Sequence, residues 1–358
     1  MFRRILVPLD GSTCAESAIP VAARIAHASK GSIVLLKVVN LPIDYGMFLT
    51  QSSVLTEQDV EVENAKATEY LTSIAQSEQM EGIGTKIEVV SGPIAPTLLS
   101  YAEPSRADLI VMSSHGYTGF KRWVLGSVAD KVIRHAQVPA LVLREHEPLS
   151  AGSRHSLRIL VALDGSTLSE AVLDPVSQLV AALSEPLQGA LHLLRVVDVL
   201  PTSGAWRSQA NIGSEMREHM QQDAKVYLAS VVAQLQEDFA LDYEYMPTIT
   251  ASVVTDADVA GAIIREAENT EAGNTYDLIA MSTHGRGGLE RWTAGSVTER
   301  TLHGTKLPLL IVRPQKVAHK MHDKQEKKAM KEDAAPEKKA AVVDIEVDEI
   351  EVETWAGG

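Results

Sequence analysis

The chain of 358 residues holds a single cysteine, Cys14. That excludes an internal disulfide framework and a cysteine-based zinc site, and it suits a reducing compartment. Cys14 falls at a predicted helix start, where inert packing is favoured over thiol reactivity. Basic charge is scarce too: 33 Lys and Arg stand against 47 Asp and Glu, a formal net charge of −14. Gripping nucleic acid or an anionic membrane takes clustered cations, so neither is expected as the main partner. No apolar run approaches the ~18 residues of a membrane span. The opening MFRRILVPLD has basic residues, but its apolar part is too short for a signal peptide and reads as a strand. A cytoplasmic location is the expectation.

Familiar catalytic signatures are missing as well. The sequence has no G-x-S-x-G elbow, no H-E-x-x-H pair and no G-x-x-x-x-G-K-[ST] phosphate loop. Ordinary P-loop ATP hydrolysis is therefore not expected, and no residue is assigned a catalytic or metal-ligating role.

What is present is a repeat. RRILVPLDGST at 3–13 returns as LRILVALDGST at 157–167, and IVLLKVVN at 33–40 as LHLLRVVD at 191–198. ADLIVMSSHG at 107–116 returns as YDLIAMSTHG at 276–285, and VPALVLR at 138–144 as LPLLIVR at 307–313. A duplicated unit of this length means two homologous domains, the default for a chain too long for one core. The expected domains are 1–146 and 157–314, around a polar linker at 145–156. From 315 to 358 the chain is highly charged and then alternates apolar and acidic residues, the composition of a disordered tail. The alternation also admits a segment that orders on a partner.

Within each unit, short apolar runs alternate with helical periodicity. Ile5, Leu6 and Val7 form a continuous apolar run, as in a parallel strand covered on both faces. Asp10, Gly11, Ser12 and Thr13 then turn and cap a helix whose apolar face is Ala15, Ala18, Ile19, Ala22, Ile25 and Ala26. Val172, Leu173, Val176, Leu179, Val180 and Leu183 do the same in the second unit. Pro20 and Pro175 inside these segments predict kinks or late helix starts. Strand alternating with helix predicts two tandem α/β domains, each a doubly wound five-stranded parallel sheet in the order 3-2-1-4-5 with helices on both faces.

In such a sheet ligands bind beyond the carboxyl ends of the strands, where the strand order reverses. Strands one and four flank that point, so the segments leaving them are the candidates: LDGS, and SSHGYTGFKRWVLGSV at 113–128 with its copy STHGRGGLERWTAGSV at 282–297. Gly116 and Gly126 bracket nine residues, as do Gly285 and Gly295, and glycine lets backbone approach a ligand closely. Gly126-Ser127-Val128 and Gly295-Ser296-Val297 lead into helices whose free amides form a ready phosphate site. Asp10 and Asp164 are placed to accept a hydrogen bond from a ribose hydroxyl or an adenine amino group. A Gly-rich turn alone is common in α/β domains; the Asp and the spaced loop together, in register twice, point to a ligand. His115 and His284 lack a partner nucleophile or metal set, so a structural or ligand-lining role outweighs that of general base. Trp123 and Trp292 read as packing or interface residues, and Lys121, Arg122, Arg286 and Arg291 as a solvated face, with Arg286 in reach of a phosphate.

Both halves resemble universal stress protein domains through ILVPLDGS, LLKVV, DLIVMSSHG and the Gly-x9-Gly-Ser loop followed by VPALVLR. The resemblance covers 1–144 and 157–313. It implies a five-stranded parallel sheet, association through the fifth strands as a homodimer or pseudo-dimer, and binding of ATP, AMP or ADP with Mg2+ as an accompanying ion. The nucleotide-binding members carry Gly-x2-Gly-x9-Gly-[Ser/Thr]. The resemblance puts adenine against Pro8, Leu9, Asp10 and the backbone of Val38, and ribose and phosphates against Met112, Ser113, His115, Gly116, Gly126, Ser127 and Val128. In the second half the same positions are Ala162, Leu163, Asp164, Val196, Met281, Ser282, His284, Gly285, Gly295, Ser296 and Val297.

Two departures bear on that expectation. Ser113 and Ser282 stand where the motif begins with glycine, and a backbone requiring positive φ would disfavour them. Pro8 becomes Ala162, and the Gly92-Pro93 turn is absent from the second half, where VVTDADVAG rebuilds it. The implied function is a stress-response signalling module that holds a nucleotide and contacts an unidentified protein. The alternatives are a nucleotide-free dimeric scaffold and a slow ATPase.

Overall fold

The computed structural model describes residues 1–40, 57–114, 125–144, 149, 156–184, 188–198, 210–243, 245–269, 276–283 and 295–314. The first half runs β1 (Arg4–Pro8), α1 (Thr13–Glu16), α2 (Ala18–Ser29), β2 (Ser32–Val39), α3 (Glu57–Ala75), β3 (Gly84–Ser91), α4 (Ile94–Ala102), β4 (Leu109–Ser113), α5 (Ser127–His135) and β5 (Ala140–Leu143). The second half repeats it as β6 (Arg158–Ala162), a 3-10 turn (Ser169–Val172), α6 (Leu173–Leu183), β7 (Ala190–Val197), α7 (Ala210–Asp242), β8 (Thr248–Thr255), α8 (Val259–Glu268), β9 (Leu278–Ser282), α9 (Ser296–Gly304) and β10 (Leu309–Val312).

The central strands are apolar on both faces because helices cover both. Ile5 and Val7 pack with α2, α3, α6 and α7 in one layer, while Leu6 faces a second layer built from α4, α5, α8 and α9. The two apolar helix faces read from the sequence are buried throughout. Each half has the order 3-2-1-4-5 expected of it, with all pairs within a half parallel. The halves then join through their fifth strands: β10 pairs antiparallel with β5, setting Leu309 against Val142, Leu310 against Leu141 and Ile311 against Ala140. The result is one ten-stranded sheet, β3-β2-β1-β4-β5-β10-β9-β6-β7-β8. On one face α2 of the first half packs on α6 of the second, and Arg24 donates to the Leu183 carbonyl at the end of α6.

Pro20 and Pro175 mark late starts, not kinks. Each is the third residue of its helix, where the missing N–H had no intrahelical acceptor to lose. The turn before them is taken up by α1 in one half and the 3-10 turn in the other. The rebuilt turn after the third strand is also visible: Pro93 precedes α4 without a side-chain cap, whereas Asp258 caps α8 by accepting from the Gly261 amide at 3.0 Å. The tail and all but Leu149 and Ser156 of the linker and adjoining residues 145–156 lie outside the described residues. No helix among the described residues is long and apolar enough to cross a membrane.

Candidate functional site

At the carboxyl edge of the sheet the chain leaves β1 through Leu9, whose amide donates to the Leu36 carbonyl of β2 at 2.8 Å. Asp10 then accepts from the Ser12 amide at 2.8 Å and the Ser12 hydroxyl at 2.6 Å. Ser12 in turn accepts from the Ala15 amide at 3.1 Å and so caps α1. The copy is close: Asp164 accepts from the Ser166 amide at 2.9 Å and its hydroxyl at 2.6 Å. Gly11 and Gly165 between them have φ of +96° and +85°, the left-handed region that glycine enters without steric cost.

Strand β4 runs beside β1 with Ile5 opposite Leu109 and Leu6 opposite Ile110. Its end is tied to the Asp10 loop by Cys14, whose thiol lies 3.5 Å from the Ser113 hydroxyl. Ser113 and Ser282 are the last residues of β4 and β9. Neither has positive φ, since Lys30 and Arg106 are the described non-glycine residues that do. A glycine is therefore not required there, and the expected steric objection to serine falls away.

The two site helices begin on glycine. Gly126 precedes α5 and Gly295 precedes α9, with φ of −64° and −61°; neither uses the left-handed freedom of glycine. Their amides donate at 2.8 Å to the Ser114 and Thr283 carbonyls just past the strands. A Cβ on Gly295 would stand 3.2 Å from that Thr283 oxygen, so one close approach the small residue permits is to the chain's own backbone. Neither helix has a side-chain cap, which leaves the first-turn amides of α5 and α9 to whatever occupies the edge. Ser127 and Ser296 are exposed, and Val128 and Val297 half-buried. Thr298, one position further into α9, is turned inward and donates to the Ser282 carbonyl at 2.9 Å.

The structure thus brings Pro8, Leu9, Asp10, Val38, Met112, Ser113, Gly126, Ser127 and Val128 to one edge. It does the same with Ala162, Leu163, Asp164, Val196, Met281, Ser282, Gly295, Ser296 and Val297. Leu9, Leu163, Met112 and Met281 are core residues by burial; what Leu9 and Leu163 offer the edge is backbone. His115, Gly116, His284 and Gly285 lie outside the described residues, as do Trp123, Trp292, Lys121, Arg122, Arg286 and Arg291.

Sequence reasoning missed a second, duplicated group. Lys37 on β2 donates to the Asp10 carbonyl at 2.8 Å and lies 4.6 Å from the ring centre of Tyr70 on α3. Tyr70 donates to Glu16 at 2.9 Å. Arg195 on β7 takes the same place, 5.1 Å from the ring of Tyr227, which donates to Glu170 at 3.0 Å. A Cβ on Gly165 would fall within 2.9 Å of the Arg195 guanidinium, so the cation presses directly on the aspartate loop. Burial and the facing glutamates push both phenols well above the usual tyrosine range. The available signal was a lone cation inside an apolar strand, LLKVV and LLRVV.

A tandem of doubly wound α/β domains, with an uncapped helix start at each point where strand order reverses, defines the class. The model of the universal stress protein family matches residues 1–144 and 156–313. A universal stress protein of Methanocaldococcus jannaschii is 30% identical over 145 residues, spanning 40% of this chain and 84% of that protein. One from Mycolicibacterium smegmatis is 25% identical over 316 residues, spanning 87% of this chain and 97% of its own length. In solved structures, a universal stress protein of Archaeoglobus fulgidus aligns over 87% of this chain and 98% of its own, with a TM-score of 0.58 at 19% identity. The chain belongs to the universal stress protein family, as two tandem copies of its domain.

Proposed function

We propose that each half binds an adenine nucleotide at the carboxyl edge of the sheet, between β1 and β4 and between β6 and β9, and that the protein serves as a cytoplasmic signalling module in stress. The observation that carries this reading is the pair of uncapped helix starts at Gly126 and Gly295, set against strand ends beside the Asp10 and Asp164 turns. First-turn amides and the positive helix end favour phosphate, while the aspartates supply acceptors for ribose or adenine. The resemblance adds His115, Gly116, His284 and Gly285 to the phosphate side. Among the described residues no group of three His, Cys, Asp or Glu side chains gathers to hold a metal; Mg2+ enters this reading as the ion that accompanies ATP.

Mass spectrometry of small molecules released from freshly purified protein is the direct test, paired with thermal unfolding in millimolar ATP. Nucleotide at a hundred times its Kd stabilises the folded state by about 2.7 kcal/mol per site. Recovery of an adenine nucleotide and a raised Tm are expected. A nucleotide-free preparation with no thermal shift overturns the reading. The scaffold alternative has the β5–β10 pairing behind it; it gains ground if bulky residues at Gly126 and Gly295 leave every protein–protein association intact.

A further inference from the structure

The helices α5 and α9 begin at the candidate sites, and each is held at its other end by the opposite half. Arg144, just past β5, donates through Nη2 to the Leu302 carbonyl in the last turn of α9 at 2.5 Å. Arg313, just past β10, donates through Nη1 to the carbonyl of His135, the last residue of α5, at 3.4 Å. The two arginines close the matching segments VPALVLR and LPLLIVR, so the bonds cross the fifth-strand pair in opposite directions. A third contact crosses beside them. Arg134 of α5 binds Asp130 in the first turn of its own helix at 2.9 Å and Glu299 in the first turn of α9 at 3.0 Å.

A guanidinium at a helix C-terminus satisfies carbonyls that have no intrahelical donor and complements the negative end of the dipole. An anion at the N-terminus complements the positive end. A nine-residue helix is a rod of roughly 13 Å, so the two ends shift and stiffen together. Arg134 meanwhile offsets the two carboxylates that stand one turn behind the candidate phosphate positions. Arg144 is half-buried, and its Nε is shut away from solvent with no partner among the described residues, a cost that an apolar side chain at this place would avoid.

We propose that Arg144 and Arg313 are positioning residues that act in trans: Arg144 sets the candidate nucleotide site of the second half, and Arg313 that of the first. This rests on the nucleotide reading above. The two ligand sites are then coupled through the β5–β10 seam, each helix answering to the half that does not contain it.

The test uses the full chain with one site disabled at a time. In an Asp164→Ala, Gly295→Val background, calorimetric titration reads ATP at the first site alone. There Arg313→Met is expected to raise Kd roughly fivefold, the scale of a helix-end charge, while Arg144→Met leaves it unchanged. In an Asp10→Ala, Gly126→Val background the roles exchange. Amide hydrogen exchange on the same single variants, without ATP, should quicken along 127–135 for Arg313→Met and along 296–304 for Arg144→Met. Conservative Arg313→Lys should restore most of both readouts. Weakening confined to a variant's own half, equal weakening at both sites, or no change overturns the proposal. If the wild-type chain takes up no ATP, the nucleotide reading falls, and the exchange pattern alone decides whether the clamps work across the halves.

Discussion

His192 is fixed between two hydroxyls of the neighbouring strand: Nδ1 lies 2.8 Å from Thr250 Oγ1 and Nε2 lies 2.8 Å from Ser252 Oγ. Burial, with Arg158 nearby, lowers its pKa to about 4. The folded state therefore holds the neutral ring where the unfolded chain, titrating near 6.5, binds a proton. The stability this contributes is complete above pH 6.5 and is lost progressively as pH falls toward 4, by about 3 kcal/mol in all. Valine occupies the matching place in the first half, Val34. Urea denaturation across that pH window should show His192→Val losing less stability than the wild type; equal slopes would refute the assignment. At the same scale, glycine matters where φ demands it. Gly165→Ala must adopt φ near +85° and displace the Arg195 guanidinium from the Tyr227 ring, at about 1–2 kcal/mol for the backbone alone. Gly295→Ala keeps an ordinary φ of −61° but presses its Cβ to 3.2 Å from the Thr283 carbonyl oxygen; with no φ strain and no displaced cation it should cost about 1 kcal/mol, less than Gly165→Ala. A reversed order in chemical denaturation would show that the aspartate loops are not held as described.

Helices α2 and α6 show how a local rule is met by moving a boundary. Because Pro20 sits in the first turn of α2, Pro20→Ala should change stability by less than about 1 kcal/mol, whereas proline at Ala26, in the last turns, should cost about 3 kcal/mol or more. Equal effects in urea melts would place the helix start elsewhere. The strands and these helices were legible because each signal is local: a continuous apolar run, an Asp-Gly-Ser-Thr turn, a 3.6-residue apolar period. The order of strands followed from chain alternation. The helix starts at Gly126 and Gly295 were legible for the same reason. The Lys37–Tyr70–Glu16 group was not, since its members lie on β2, α3 and α1 and no periodicity links them; only the crossover that lays α3 over the sheet does. Nor could the sequence say that Ser113 and Ser282 would end strands with ordinary φ, which is a property of the register between β1 and β4.

Across the whole molecule, the β5–β10 pair turns two sheets into one and hides two strand edges. A fragment ending after β5 would present Ala140, Leu141 and Val142 unpaired, an edge that seeks another strand. Residues 1–146 expressed alone are expected to self-associate, which light scattering on a sizing column would detect; a stably monomeric fragment would show that the pairing is incidental. In the full chain the same pairing needs no encounter between molecules, so it does not weaken on dilution. Joining the partners in one polypeptide also frees them from having to be alike. In an association of identical chains every substitution appears on both sides of the axis at once. Here His192 has Val34 as its counterpart in the other half, Cys14 has Leu168, and Lys37 has Arg195. The two halves are at liberty to diverge residue by residue while sharing one sheet.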